Sequence, residues 1–600
     1  MIPGERAKSA LALCALVLAS QAIAHSLDLQ LAPEHGWPVR LALHGAILAV
    51  LLGATTLFSE RGALADGARR VWPAAIPLLA LPLVPAPWLL GGLGAVLAGF
   101  APTGNEQRSW RRALGVLAIA IGVVYLVIGA RAGGPADNDA AYYLGVARHL
   151  AKTHRFEEPI VWHYLTPPPA LLHAPFDYWQ GLTSLILAPV WRHATLAMAA
   201  LSALSVLAFW RLGCRALRRP AVQLLALLLF AFSPAMAIYR FDTEAVVPAQ
   251  LALLGAALAL ESRRFRLAVA LGFLLLPTRA DGLLWWAFLV AAVALAAGAK
   301  RRGVLATAAT GLAGWIGYQL LVFGTPLPPA ARLGPFLSHY DDLFAYGIHI
   351  QPRLGSLFRP DVLFDQLVAA LDCIRKVPFV PRGGLWAMVV LAGCVLAVRR
   401  REPLDLLFLA LLGAAIPVAC FSPILFAPYR TLHLLLPIVV LVGARALDRA
   451  VEALPAGDRR IGAVAAGIVF AACWVIARPL AVYRDRPDPL APLARDLRAL
   501  DATLDGQPVA TARPCLAIAH TRSPAIAIPS NGEAAVEAAL RRYGVRWLLL
   551  GGDAMDFTGE SRPLLRALRD GRRRAIGALA VRPAVTLPDG TVLLRVDPRE

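Results

Sequence analysis

Apolar blocks of about 15–20 residues recur along most of the chain, each close to the length that crosses a bilayer as helix. They predict spans near 9–25, 40–58, 71–84, 88–102, 113–130, 195–212, 221–239, 245–261, 266–279, 283–298, 303–323, 384–398, 404–421, 428–447 and 460–478. The run 71–102 is too long for one helix, and Pro82, Pro85 and Pro87 divide it. A shorter block, Tyr178 to Trp191, carries aromatic residues at both ends and reads as a helix lying at the membrane interface. With it, the first long outer loop covers 131–194, and a second covers 324–382.

From about 480 the pattern changes to short alternating runs. Arg484-Asp485-Arg486-Pro487-Asp488-Pro489 reads as a linker. Val509–Thr511, Ala525–Ile528 and Val545–Leu550 read as strands, and Pro588-Asp589-Gly590 as a turn between two terminal strands. Ser530 with Glu533 predicts a capping box for a helix ending near Gly544. The expected fold is a polytopic α-helical membrane protein of about 13–15 spans with a C-terminal soluble α/β domain. Its parts are additional N-terminal helices at 1–112, a membrane domain at 113–479 and the soluble domain at 480–600.

Composition agrees with the pattern. The 600 residues are 58% hydrophobic and 16% charged, with mean hydropathy +0.61, whereas a soluble chain carries about a quarter charged residues. The net charge of +20 lies in short runs between apolar blocks: Arg111-Arg112, Arg218-Arg219, Arg263-Arg264, Lys300-Arg301-Arg302 and Arg399-Arg400-Arg401. That is the signature of cytoplasmic loops, not of a nucleic-acid partner. It places the N-terminus inside and both long loops and the C-terminal domain outside. Arg6 and Lys8, an apolar run and Ala22-Ile23-Ala24 imitate a secretory signal; they are read as the first span. Seven cysteines stand far apart with no CxxC pair, so neither a zinc site nor a redox motif is indicated.

The candidate chemistry collects on the outer side. Asp137-Asn138-Asp139 opens the first outer loop, and the helical pattern behind it puts Tyr143, Val146, Ala147 and Leu150 on one face. Asp139 suits a helix N-cap, a general base beside a water-accessible cleft or a ligand of a divalent cation. His149, His154, His163 and His173 share this loop, at spacings that match no compact metal template. Arg240-Phe241-Asp242-Thr243-Glu244 reads as a charged outer turn, and Arg279 with Asp281 as a mutual ion pair. Tyr429-Arg430 presents planar donors suited to a phosphate oxygen, or a cation snorkelling to lipid headgroups.

The arrangement resembles the GT-C-fold glycosyltransferases, integral-membrane enzymes that use polyprenyl-phosphate-linked sugars. Asp139, Tyr143 and Ala147-Arg148 fit the spacing of that family's first acidic loop, and His173-Ala174-Pro175-Phe176-Asp177-Tyr178-Trp179 resembles the segment leading into its interfacial helix. Arg279-Ala280-Asp281-Gly282, Phe323-Gly324-Thr325-Pro326-Leu327-Pro328 and Tyr429-Arg430 are further matches. Ala525-Ile526-Ala527-Ile528-Pro529 and Tyr543-Gly544-Val545 are similar to the C-terminal domain of arabinofuranosyl- and mannosyltransferases. The chain departs from the family in its extra N-terminal spans, in His173 where aminoarabinose transferases carry Lys, and in Asn138 where arabinofuranosyl relatives carry Asp.

The resemblance implies inverting transfer of a sugar from a polyprenyl-phosphate donor to a glycan, lipid or protein acceptor outside a bacterial cytoplasmic membrane, with Asp139 as general base. Asp137, Asp242 and Glu244 would orient the acceptor or hold a divalent cation; Arg430, Tyr429, Arg279, Arg240 and His173 would meet the donor phosphate. The rival reading is a transporter or flippase of a polyprenyl-linked lipid. It would show internal repeats, broken helices and ionisable groups at the bilayer midplane; the sequence carries no evident repeat.

Overall fold

The structure, a computed structural model, describes residues 105–131, 138–165, 181–327 apart from 232, 234, 235, 237 and 238, parts of 333–371, 384–421, 432–453, 491–551, and 559–598 apart from 589. The expected spans before 104 and at 460–478 lie outside the described residues.

The expected helices are present within this range. In chain order they are α1 Asn105–Arg131, α2 Asn138–Thr153, α3 Leu182–Leu187, α4 Ala194–Ala216, α5 Pro220–Ala231, α6 Val246–Glu261, α7 Phe265–Phe273, α8 Gly282–Ala297, α9 Arg301–Phe323, α10 Gly384–Arg400, α11 Pro403–Phe421 and α12 Leu436–Ala453. Some are shorter than their apolar blocks. The block 266–279 is helical only to Phe273, ahead of Pro277. Residues preceding a proline are biased away from helix.

Among the described residues, two helical stretches are long and apolar enough to cross a membrane, Leu182–Ala216 and Gly282–Phe323. A pair bent by 115°, Val390–Arg400 with Pro403–Ala419, makes a third if counted as one span. The first stretch is broken at Val190 (φ −127°), which separates the predicted interfacial helix α3 from α4. The second turns at Gly298, whose φ of +53° few other residues tolerate. It then folds back, so that Trp286 of α8 lies 3.7 Å from where a Gly311 Cβ would sit on α9.

Helix contacts in the bundle rest on small residues. Gly115, Gly122 and Gly129 repeat every seven positions along α1 and face α4. A Cβ at Gly129 would stand 2.5 Å from Ala199 Cβ, so the two backbones approach as side-chain-free surfaces do in membranes. Behind this seam Phe209 and Phe230 stack at 4.4 Å in a core that also buries Trp285 and Phe408.

The C-terminal part adds α13 Ala491–Leu504, α14 Pro514–His520, α15 Glu533–Arg542 and α16 Arg562–Arg569. They pack around a seven-stranded sheet of order β1-β3-β2-β4-β7-β6-β5. The predicted strands are there as β2 Val509–Thr511, β3 Ala525–Ala527 and β4 Trp547–Leu550, and β6 Leu579–Thr586 with β7 Val592–Pro598 flank the predicted turn. β5 is Ala575–Ile576. The edge strand β1, Ile160–Val161, comes from the first outer loop and pairs in parallel with β3. The sheet therefore draws on residues well outside 480–600.

One local prediction fails. The capping box does not form: Gly532 (φ +95°) stands at the N-cap of α15 without a side-chain cap, and Glu533 is the first helical residue. Ser530 instead donates to the carbonyl of Asp341 at 3.0 Å, and Glu533 accepts from Gly577 N at 2.8 Å. Tertiary partners take both side chains.

Candidate active site

The first turn of α2 is where the predicted residues meet. Asn138 begins the helix, so Asp139 lies inside the first turn, half-buried, and is not the cap. A carboxylate there faces the unpaired N–H groups and the positive end of the helix dipole. Behind it Ala140, Ala141, Tyr142, Tyr143, Val146 and Ala147 are buried, which holds this end of the helix rigidly.

Two other segments are bonded to the start of α2, and a third is bonded to one of those two. Thr243 Oγ1 donates to the carbonyl of Ala140 at 2.5 Å, and Asp242 Oδ1 accepts from Thr243 N at 3.0 Å. Asp242 and Glu244 are each 4% exposed. Ser184 Oγ on α3 donates to the carbonyl of Tyr143 at 3.1 Å, and Leu182 N to that of Pro277 at 2.9 Å. The segment 277–281 presents Arg279, which grips Asp281 with two bonds, Nε to Oδ1 at 2.7 Å and Nη2 to Oδ2 at 2.9 Å. Burial works against the charge of Arg279, yet the Asp281 carboxylate, with Tyr143 and Glu244 nearby, raises its pKa above the ordinary value. Its Nη1 is left without a hydrogen-bond partner among the described residues.

Arg240 behaves differently. Its backbone belongs to the turn, but its side chain runs into the bundle and is 2% exposed. Nη2 donates to the carbonyl of Phe230, and the guanidinium lies 5.2 Å from the Tyr125 ring and 5.0 Å from that of Phe230. This is an anchor for the turn rather than a group presented beside Arg279.

The loop histidines do separate work. His149 Nε2 lies 3.2 Å from Glu157, and His163 Nδ1 accepts from Leu165 N at 3.3 Å. Among the described residues no three His, Cys, Asp or Glu gather closely enough to hold a metal ion. Asp137, His173, Tyr429 and Arg430 lie outside the described residues.

Two contacts had no reading in the sequence. Tyr142 donates to buried Glu158 at 2.7 Å, an acid that looks like any loop residue in the chain. The bond from Thr243 to the carbonyl of Ala140 is the other; nothing in the charged turn 240–244 marks its central threonine.

No family model matches the chain, and no curated protein sequence does. Solved structures with a similar chain path include the Archaeoglobus fulgidus oligosaccharyltransferase tethered with an acceptor peptide containing the NVT sequon (TM-score 0.47, 11% identity, 75% of this chain and 72% of that one). ArnT from Cupriavidus metallidurans bound to undecaprenyl phosphate is another (TM-score 0.48, 12% identity, 80% and 97%). So is the arabinofuranosyltransferase AftD from Mycobacteria (TM-score 0.41, 14% identity, 84% and 40%). All three are glycosyltransferases of the GT-C fold. At these scores the likeness is one of chain path, and the reading below rests on the site's own residues.

Proposed function

We propose that the chain is a membrane glycosyltransferase that moves a sugar from a polyprenyl-phosphate donor to an acceptor hydroxyl outside the membrane, with inversion. What carries this reading is one cluster: a half-buried carboxylate, Asp139, in a helix turn bonded through Thr243 to the acidic segment 242–244, whose Glu244 lies near the Arg279–Asp281 pair.

In the proposed step Asp139 accepts the acceptor's hydroxyl proton while that oxygen bonds the anomeric carbon from the face opposite the leaving group. The bond from the anomeric carbon to the phosphate oxygen breaks, and the electron pair leaves with the lipid phosphate. Arg279 is suited to the departing charge because Asp281 uses Nε and Nη2 and leaves Nη1 to bond a phosphate oxygen. Arg430, Tyr429 and His173 complete the phosphate site in this proposal. Asp242 and Glu244 shape the acceptor side through the turn that Thr243 ties to α2, with Asp137 next to the base.

Asp139→Asn keeps the size of the side chain in the first helical turn and removes the base. Sugar transfer from a polyprenyl-phosphate donor is expected to slow by about 10²–10⁴-fold with unchanged thermal unfolding. Full activity in that variant removes Asp139 from the mechanism.

A further inference from the structure

At the far end of α8 from Asp281 lies a second basic feature that the proposed transfer does not use. The turn between α6 and α7 and the start of α9 line an open pocket of about 500 Å³ in which Arg263, Arg264, Arg266 and Lys300 are exposed and Gly303 forms part of the wall. α8 spans 16 residues, which separates the pocket from Asp281 by about 24 Å along the helix. Local backbone geometry builds it. Arg263 adopts φ +56° as the chain leaves α6, and Gly298 at φ +53° turns α8 into α9, bringing Lys300 and Gly303 opposite Arg266. Gly303 contributes by what it lacks: a Cβ there would stand 2.7 Å from Arg266 Nη2 and 2.8 Å from Nε, so the guanidinium lies directly against the helix.

No carboxylate lines the pocket, and among the described residues none of the four cationic side chains makes a hydrogen bond or ion pair. Four like charges around one space repel one another until something negative enters. The three guanidinium groups offer planar, multidentate donors and Lys300 a point charge, the donor set that suits phosphate oxygens. We propose that this pocket binds a phosphate-bearing anion, the chemistry shared by an anionic lipid headgroup and a soluble phosphate. The loop charges put this end of the bundle at the cytoplasmic face, where basic pockets between membrane helices take lipid headgroups.

The competing explanation is diffuse attraction between exposed cations and any anionic surface, and two variants separate it from a built pocket. Arg263→Gln/Arg264→Gln/Arg266→Gln removes charge. Gly303→Leu keeps every charge but intrudes on the pocket wall and displaces the flexible end of Arg266. The full chain in detergent is titrated with dioleoyl phosphatidylglycerol, with phosphatidylcholine and with inorganic pyrophosphate, and bound species are counted by native mass spectrometry. Phosphatidylglycerol binding that falls about tenfold or more in both variants supports the pocket with a lipid occupant. Pyrophosphate binding with the same loss supports it with a soluble one. Binding unchanged in Gly303→Leu, or equal in wild type and the triple variant, overturns the proposal.

Discussion

Arg240 and Arg279 are two arginines read from adjacent outer turns, and the fold gives them opposite surroundings. Arg279 stays at the rim with a carboxylate partner, whereas Arg240 takes its charge into the bundle and meets only a carbonyl and two aromatic rings. An unpaired buried charge costs several kcal/mol, and each cation–π contact returns about 2 kcal/mol. Arg240→Met is therefore expected to leave thermal stability unchanged or raise it by about 1–3 kcal/mol, read from unfolding in detergent. A marked drop would show that the aromatic contacts dominate. Asp281→Asn tests the other arginine: with its guanidinium no longer held, the apparent KM for the lipid donor is expected to rise about tenfold, with a smaller change in kcat.

Between elements, the decisive contact is α2 against α14. Gly145 lets them touch: a Cβ there would stand 2.5 Å from Ile518 Cγ1, 2.7 Å from Cδ1 and 3.0 Å from Ala519 N. Arg148 then donates to the carbonyl of Ala519 at 3.2 Å. Gly145→Val is expected to cost about 1–3 kcal/mol through overpacking, with partial recovery in Gly145→Val/Ile518→Ala, measured by thermal unfolding. His520 closes the same contact. Burial, then Arg498 and Arg148, lower its pKa from 6.5 to about 4. The folded pKa is the lower one, so between about 6.5 and about 4 the unfolded chain binds the extra proton. The stability at stake, about 3 kcal/mol at most, is fully present above pH 6.5 and is lost as pH falls toward 4. His520→Phe should flatten unfolding temperature against pH over that window; an unchanged slope would assign the loss to other groups.

At the scale of the whole molecule, the expected linker at 484–489 lies outside the described residues, while the C-terminal part is built into the candidate site. It shares one buried core with Tyr142, Tyr143, Trp162, Leu337 and Phe344, and Tyr164 donates to the carbonyl of Ala527. Removing residues after 490 would strip β1 of its sheet and expose one face of α2. The truncated chain is expected to lose sugar transfer even where it inserts normally; retained transfer would show that α2 keeps its place without this support. Much of this was legible in advance. The apolar blocks determined which segments are helical, because a backbone in lipid must bond to itself, and β-branched and aliphatic runs marked the strands around 509, 525 and 547. The spacing of Asp139 and Tyr143 placed both on one helix for the same reason: local geometry follows from local sequence. What the tertiary structure alone decided is which polar groups meet. Thr243 reaches Ala140 across 103 positions, β1 joins a sheet formed more than 300 residues later, and Ser530 bonds Asp341 instead of capping the helix that follows it. Such pairings depend on the packing of distant elements, where no local period or propensity records the partner.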